Sequence, residues 1–592
     1  MCGIFSYFGP SDKAAEIVLK GLKKLEYRGY DSWGIAAKSA SGDIKIEKHV
    51  GKISEVISLN SEMMMPSHLA LGHSRWATHG GVTQYNAHPH STENQDIIVV
   101  HNGIFENYLE LKQTLIEKGH QFRSETDSEV FAHLIEENIK LGLDKAFKMA
   151  CDMVTGRYAI LAMSKYENKI IAARRGSPLI IGKAQDGAHF IASDVPAFLE
   201  YTKDVMYLDD NQMVVISDEG ANFFDLASEK QIEKRVISID WKEEMADKGD
   251  YQHFMMKEIM DQKETITKAI NLDTEKIMEV AKKIKGAYGT YFVGCGTAGK
   301  VAMVGEYLFS EIAKKHVNVK FGSEFKSAKN FLTDRSLVIA ISQSGETADT
   351  LEALEMAKSK GATIVSIVNV ETSTMARYSD IVLPLKAGPE KAVASTKATT
   401  SQIAILTLLA YAVADKLDEG RQMLITIEGQ INDMLNPRYE ERINTLSEEL
   451  KDSKDIVIIG RGANFPIALE AAIKLQEVSY IHAEGFAGGE LKHGPIALIA
   501  EGTPCIVLVS NDESKQEILS NAMEVKSRGG FIVGISPENA EVFDVWIKVP
   551  DAGFASPIVN IIPIQILAYK LALARKNNPD MPRNLAKSVT VK

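Results

Sequence analysis

The sequence predicts an α+β layered domain followed by two doubly wound α/β subdomains. Three observations carry this prediction. Before about residue 240, strand-like and helical stretches come in blocks, the pattern of layered α+β domains. From about residue 285, strand and helix alternate. The start of that alternation also occurs twice. A strand at 290–293, the turn Gly294-Cys295-Gly296-Thr297 and a helix at 299–313 are echoed by a strand at 455–459, the turn Gly460-Arg461-Gly462 and a helix at 466–482, which reads as an internal duplication.

The elements follow in order. Residues 12–25 make an amphipathic helix, because Ala14, Ala15, Ile17, Val18, Leu22 and Leu25 recur at helical spacing and Gly29 supplies a stop. Strands follow around Ile35 and at 44–46, 69–73 and 97–100; helices follow at 107–118 and 128–141. After Gly156 the pattern is mostly strands with Gly/Asp turns, at 158–163, 170–173 and 213–216. A charged stretch without apolar periodicity precedes a helix that opens at 251–258. The expected divisions are a first domain at 1–240, a linker at 241–250, subdomains at 251–430 and 431–580, and a tail at 581–592.

Composition narrows the function classes. A chain of 592 residues is too long for one core. Its 45% hydrophobic and 25% charged residues are ordinary for a globular protein. A net charge of −12, with no basic stripe interleaved with aromatics, argues against a nucleic-acid partner. Cys2, Cys151, Cys295 and Cys505 are scattered, without a Cys-x-x-Cys pair, which argues against a disulfide framework or zinc site and for a reducing cytoplasm. The most apolar runs, 403–414 and 558–574, read as too short or too interrupted to span a membrane, and the start lacks the pattern of a signal peptide. The expectation is a cytoplasmic protein with no membrane partner.

The first half carries several polar motifs. Trimming Met1 would leave Cys2 with a free α-amine, which titrates at about 7.7–8.0. Thiol and base then share one residue, the N-terminal-nucleophile solution; the alternative is an inert buried cysteine. Ser74-Arg75-Trp76-Ala77-Thr78-His79-Gly80 leaves a strand and offers a guanidinium fork for a carboxylate, or a surface ion pair. His101-Asn102-Gly103 follows a strand and suits either an oxyanion hole or a hairpin turn. Asp127, ahead of a helix, would hold a substrate ammonium or cap that helix. His88-Pro89-His90 has no third ligand at metal spacing, so no metal is expected.

In the second half, a strand at 336–341 runs into Ser342-Gln343-Ser344-Gly345-Glu346-Thr347 and then a helix. Hydroxyls and backbone N–H groups at a helix start suit a phosphate monoester, or form a serine-rich capping turn. No Lys follows the glycine, so this is not a nucleotide P-loop. Neither glycine turn completes a dinucleotide fingerprint. Glu470, Lys474 and Glu477 share one helix face at i, i+4, i+7. They form either an exposed stripe or, with Ile467, Ile473 and Ile481 nearby, a half-buried set with shifted pKa values, suited to moving a proton between adjacent carbons. His493 lies on a loop ahead of Gly494. The tail is apolar at Leu585, Val589 and Val591, which reads as docking.

Taken together and in order, Met1-Cys2-Gly3-Ile4 and the segments 26–32, 75–80, 86–90, 101–103 and 125–127 resemble the glutaminase domain of the isomerizing glutamine–fructose-6-phosphate aminotransferases. The resemblance continues through the whole chain. It implies an αββα N-terminal-nucleophile glutaminase domain followed by two sugar-isomerase (SIS) subdomains. The implied activity uses glutamine and fructose 6-phosphate to make glucosamine 6-phosphate, the first step of amino-sugar synthesis, with no metal or organic cofactor. By the same resemblance, Cys2 attacks the glutamine amide, Asn102 and Gly103 stabilise the oxyanion, Arg75 binds the α-carboxylate and Asp127 the α-amine. Trp76, Thr78 and His79 complete that site, and Trp76 gates an ammonia passage. Thr297, Ser342, Gln343, Ser344, Thr347, Val393 and Ser395 would hold the sugar phosphate. Glu477 would carry the 1,2-proton transfer with support from Lys474. His493, from the neighbouring subunit of a homodimer, would open the ring, and Lys587 would form an imine with the open-chain sugar. Trp33, Ser6 and Ala298 depart from the family pattern, which has a small residue, glycine and serine there.

Three rival readings fit less well. An asparagine-synthetase-type enzyme needs a Ser-Gly-Gly-x-Asp-Ser loop, which this sequence does not contain. A phosphoribosylpyrophosphate-using amidotransferase would carry one ribosyl-transferase domain rather than two duplicated subdomains. A non-catalytic sugar-phosphate sensor would have no use for Glu477, His493 and Lys587 together.

Overall fold

The computed structural model describes residues 2–239 and 248–590, so most of the expected linker at 241–250 lies outside the described residues. The chain forms two compact units, Met1–Asp247 with Ala586–Lys592, and Lys248–Leu585.

Among the described residues, the first unit contains an eight-stranded and a seven-stranded sheet, with antiparallel pairing throughout. Strand alternation builds its layers. In Gly3–Phe8, Ile4 and Phe8 face a core shared with Ile98 and Val100 of the second sheet, while Phe5 and Tyr7 face outward to Val18 and Leu22 of helix Ala14–Lys24. In Ile97–Phe105, Ile97 and Val99 face outward to Val130, Phe131 and Phe147 of helices Glu129–Asn138 and Leu143–Met153. This is the expected αββα sandwich. The helix Leu143–Met153 was not anticipated, although its buried Leu143, Ala146, Phe147, Ala150 and Cys151 recur at helical spacing after Gly142. Trp33 is accommodated in the outer core of strand Ser32–Ser39, 2% exposed, with its ring stacked on His49 at 4.8 Å. Ser6 is fully buried on the inner face, and its hydroxyl has no hydrogen-bond partner among the described residues.

The second unit contains two parallel five-stranded sheets among the described residues. Numbered within each sheet by chain order, both have the strand order 2-1-3-4-5. The first runs through Gly289–Gly294, Asn318–Phe321, Ser336–Ser342, Thr363–Val368 and Ile381–Pro384. The second runs through Asp455–Gly460, His482–Ala487, Pro504–Leu508, Phe531–Ser536 and Val545–Lys548. The duplication read from the sequence is therefore topological. The two sheets share one continuous core with helices Lys397–Val413 and Ser556–Ala574. Helix Leu417–Met434 runs through the expected boundary at 430/431 because Leu424, Ile427, Ile431 and Met434 are buried in that core.

The apolar run at 558–574 needs correction. Gly553–Ala574 is long and apolar enough to cross a membrane, yet 83% of its most apolar window is buried inside the protein. It is the core helix of this unit.

Candidate active sites

Cys2 immediately precedes the strand Gly3–Phe8, which lies between two other strands of its sheet. Its carbonyl accepts hydrogen bonds from Asn102 Nδ2 at 3.1 Å and Arg28 Nε at 3.3 Å. Arg28 is held by Asp194 at 3.2 Å, and Asp194 also accepts from Tyr27 Oη at 2.6 Å. The Cys2 sulfur accepts the Trp76 N–H at 3.2 Å. Burial raises the thiol pKa above its ordinary value, more than the Trp76 N–H and the nearby Arg75 charge lower it. A thiol held protonated in this way needs a base at the moment of attack.

Asn102 and Gly103 lie inside strand Ile97–Phe105, paired with Ala159 and Tyr158, rather than in the loop or hairpin turn the sequence allowed. Gly103 has φ +133°, and a Cβ there would sit 2.0 Å from the Arg157 carbonyl oxygen, so the strand requires glycine. Asn102 donates to Ser193 Oγ at 2.9 Å as well as to the Cys2 carbonyl. Its Oδ1 lies 2.9 Å from His73 Nε2. Burial lowers the His73 pKa to about 3, so the ring is neutral, and its N–H orients the Asn102 amide with the NH₂ toward Cys2. Sequence reasoning missed His73, since a histidine within a strand carries no sign of a partner on the opposite sheet.

Arg75 is buried, not on the surface; it donates to the carbonyls of His79, Gly80 and Gly81 and wraps its own loop around the guanidinium. Asn86 ties that loop to the neighbouring segment, donating to Glu125 Oε2 at 2.8 Å and accepting the Glu125 N–H at 2.9 Å. Asp127 does not cap the following helix; its Oδ2 accepts the Phe105 N–H at 2.8 Å. His88 packs in a buried group against His73, tilted at 4.1 Å between ring centres, and edge-on against His90 at 4.4 Å, and burial holds both His88 and His90 neutral.

One pocket is lined by Cys2, Arg75, Trp76, Thr78, His79, Asn102, Gly103 and Asp127, so the predicted glutamine-side residues converge. Thr590 lines it too. The tail residues Ala586–Lys592, Lys587 among them, group with this first unit. Ser588 and Thr590 are buried while Val589, expected to dock, is 45% exposed; Leu585 is half-buried and Val591 lies outside the described residues.

In the second unit, the chain leaves strands one and three of the first parallel sheet at the point where strand order reverses, the ligand crevice of open α/β sheets. Thr297 opens helix Gly296–Glu311 there, and Ser342 to Thr347 lead into helix Ala348–Ser359. The serines brace their own loop, Ser342 Oγ accepting from Gly345 N–H at 2.9 Å and Ser344 Oγ from Glu346 N–H at 3.2 Å. Thr347 makes no side-chain cap. Thr297 Oγ1 donates to Glu470 Oε1 at 3.0 Å. Lys474 Nζ lies 3.4 Å from Glu470 and 2.7 Å from Glu477, on helix Asn464–Ser479. The set is more buried than expected, with Glu470 and Lys474 each 1% exposed and Glu477 23%. Burial raises the Glu470 pKa. Burial opposes the Lys474 charge, but Glu477 and Glu470 outweigh it and hold the ammonium. Glu390, which accepts from Ser395 Oγ at 3.2 Å, adds to the field on Lys474 and so ties the 393–395 segment to the cluster. Val393 donates its N–H to the Asp580 carbonyl at 3.0 Å. Lys300, one turn beyond Thr297, is a cation that sequence reasoning missed; burial lowers its pKa while Glu470 and Glu477 raise it. Ala298 sits partly buried beside Thr297 and offers no hydroxyl. His493 ends the segment Gly488–His493 and is exposed.

Comparison with known proteins agrees with this arrangement. A glutamine amidotransferase domain family matches residues 41–236, and the SIS domain family matches 283–412 and 449–573. A glutamine–fructose-6-phosphate aminotransferase (isomerizing) from Pyrococcus horikoshii is 42% identical, and one from Thermococcus kodakarensis 43% identical, each over the full length of both chains. The solved C-terminal domain of glucosamine-fructose-6-phosphate aminotransferase from Francisella tularensis is 34% identical with a TM-score of 0.52, covering 56% of this chain and 99% of that one. Two catalytic-looking sites, two domain families in this order and end-to-end similarity lead to one conclusion: the chain belongs to the family of isomerizing glutamine–fructose-6-phosphate aminotransferases.

Proposed function

We propose that this chain transfers the amide nitrogen of glutamine to fructose 6-phosphate and isomerises the product to glucosamine 6-phosphate, releasing glutamate. The observation that carries this reading is the convergence of Cys2, Arg75, Asn102 and Asp127 on one pocket, in a chain whose second unit holds a buried Glu470, Lys474 and Glu477 at a sheet switch point. Cys2 attacks the amide carbon, its own α-amine takes the thiol proton, and the Asn102 amide and Gly103 N–H receive the developing oxyanion. Arg75 and Asp127 hold the amino-acid end of glutamine, with Thr78 and His79 beside them. Ammonia passes Trp76 to the sugar. Thr297, Ser342, Gln343, Ser344, Thr347, Val393 and Ser395 hold the phosphosugar. Glu477 moves the proton between C1 and C2, and the charge held on Lys474 keeps that carboxylate oriented.

The exposed His493 serves the ring opening in a partner's site, which makes the working form a cytoplasmic homodimer. Lys587 forms the imine. An assay with glutamine and fructose 6-phosphate, scored for glucosamine 6-phosphate, tests the reaction; glutamate without amino sugar would reduce the reading to a bare glutaminase. Borohydride trapping with fructose 6-phosphate should place the adduct on the peptide carrying Lys587 and lose it in Lys587→Arg. An adduct on Lys474 instead would reassign the imine.

A further inference from the structure

A second cluster of ionisable side chains in the first unit stands apart from the residues that line the Cys2 pocket. His120 follows helix Tyr108–Glu117, and His133 and Glu136 lie one turn apart on helix Glu129–Asn138. His120 Nδ1 is 3.1 Å from His133 Nδ1 and 3.1 Å from Glu136 Oε2, and His133 Nδ1 is also 3.1 Å from that oxygen. Three donor atoms thus form a near-equilateral triangle. Two ring nitrogens that face each other at this distance need either a proton between them or a cation that both ligate. A tetrahedral zinc ion with bonds of about 2.0–2.1 Å has ligand-to-ligand edges of about 3.3–3.4 Å. An ion seated over the triangle reaches all three atoms after shifts of a few tenths of an ångström.

The far nitrogen of His120 is provided for as well. His120 Nε2 is 2.9 Å from Glu137 Oε1, and His133 Nε2 is 3.9 Å from Glu129 Oε1. The Glu137 carboxylate takes the His120 ring N–H, fixes that tautomer and leaves its Nδ1 free for a metal, while Glu129 faces His133 Nε2 beyond hydrogen-bond distance. Burial is graded: His133 is 1% exposed, His120 12% and Glu136 30%, which leaves the outer side open to a water as fourth ligand. Two imidazoles with one carboxylate suit zinc better than magnesium or calcium, which prefer oxygen alone.

We propose that His120, His133 and Glu136 form a zinc site that staples the segment 119–128 to helix Glu129–Asn138. That segment delivers Asp127 to the Cys2 pocket and is already tied at its middle, where Glu129 accepts the N–H groups of Arg123 at 2.8 Å and Ser124 at 2.7 Å. The site departs from the metal-free expectation because its ligands come from two elements with no recognised metal-binding spacing. Only the His-x-x-Glu pair on one helix face was readable beforehand.

The test uses the full chain, stripped with a chelator and titrated with Zn²⁺ against a chromogenic competitor. One ion should bind per chain. His120→Ala and Glu136→Gln should each weaken it by about 100-fold or more, and Glu137→Gln by about 10-fold. Co²⁺ should give the intense visible bands of a tetrahedral ion, and Zn²⁺ should slow amide exchange across 119–128 in the wild type but not in His120→Ala. Both ligand variants alter partly exposed side chains, and circular dichroism checks that they fold. Equal zinc affinity in wild type and variants would place the ion elsewhere and overturn the proposal. So would a stripped chain that binds none, which would leave only a hydrogen-bonded network of His120, His133 and Glu136.

Discussion

The Cys2 thiol keeps its proton because burial outweighs the help from the Trp76 N–H and Arg75. Nucleophile and base must therefore act together. Cys2→Ala should abolish glutamine hydrolysis while fructose 6-phosphate binding, measured calorimetrically, stays unchanged; active enzyme whose intact mass retains Met1 would remove the amine from the mechanism. Asn102→Ala should cost about 10²–10³ in kcat with little change in KM for glutamine, since the lost donor serves the transition state. A rise confined to KM would make Asn102 a binding residue. The convergence of Cys2, Arg75, Asn102 and Asp127 on one pocket could be anticipated because each sits in a short motif and the motifs occur in a fixed order. His73 and Ser193 could not be, because their meaning is a contact with Asn102 across 29 and 91 residues of chain.

At the scale of elements, helix Asn464–Ser479 is defined by its buried charges. Its i, i+4, i+7 spacing was visible in the sequence, but the depth of burial was not, since that depends on Thr297 and the core packed around the helix. Removing the cation leaves two carboxylates facing each other in a site where Glu470 is 1% exposed. Lys474→Met should cost about 3–5 kcal/mol of unfolding free energy at pH 8. The cost should shrink at pH 5, where a carboxylate with a raised pKa takes up a proton. Urea midpoints at the two pH values check this; a loss independent of pH would mean that packing, not charge, was removed. Strand Ile97–Phe105 makes the complementary point. Asn102-Gly103 is a strong turn signal in isolation, yet the pairing with Ala159 and Tyr158 and the close approach of the Arg157 carbonyl decide the outcome.

At the scale of the whole molecule, the two units carry different ionisable cores. The first buries His73 and His101 with pKa values lowered to about 3 and about 4, burial being the leading cause in each. Both are neutral in the fold, while the unfolded chain binds protons below about 6.5. The stability they confer is therefore complete above about pH 6.5 and falls as the pH drops toward 4, by about 2 kcal/mol for each between pH 6.5 and 5. Hydrogen-exchange protection factors in strands Ser67–Arg75 and Ile97–Phe105, taken relative to the intrinsic rate at each pH, should fall over that range, and unchanged protection there would refute the assignment. The duplication of the second unit was legible from its repeated strand, glycine turn and helix. The shared core was not: periodicity shows that a face is apolar but not which sheet it meets, so the boundary drawn at 430/431 cut a helix that belongs to both.

Thr590 in the wall of the Cys2 pocket has a consequence for how the protein is born. Cys2 and strand Ile97–Phe105 precede the second unit in the chain, but this wall follows it. A growing chain therefore carries an unfinished glutamine site throughout translation.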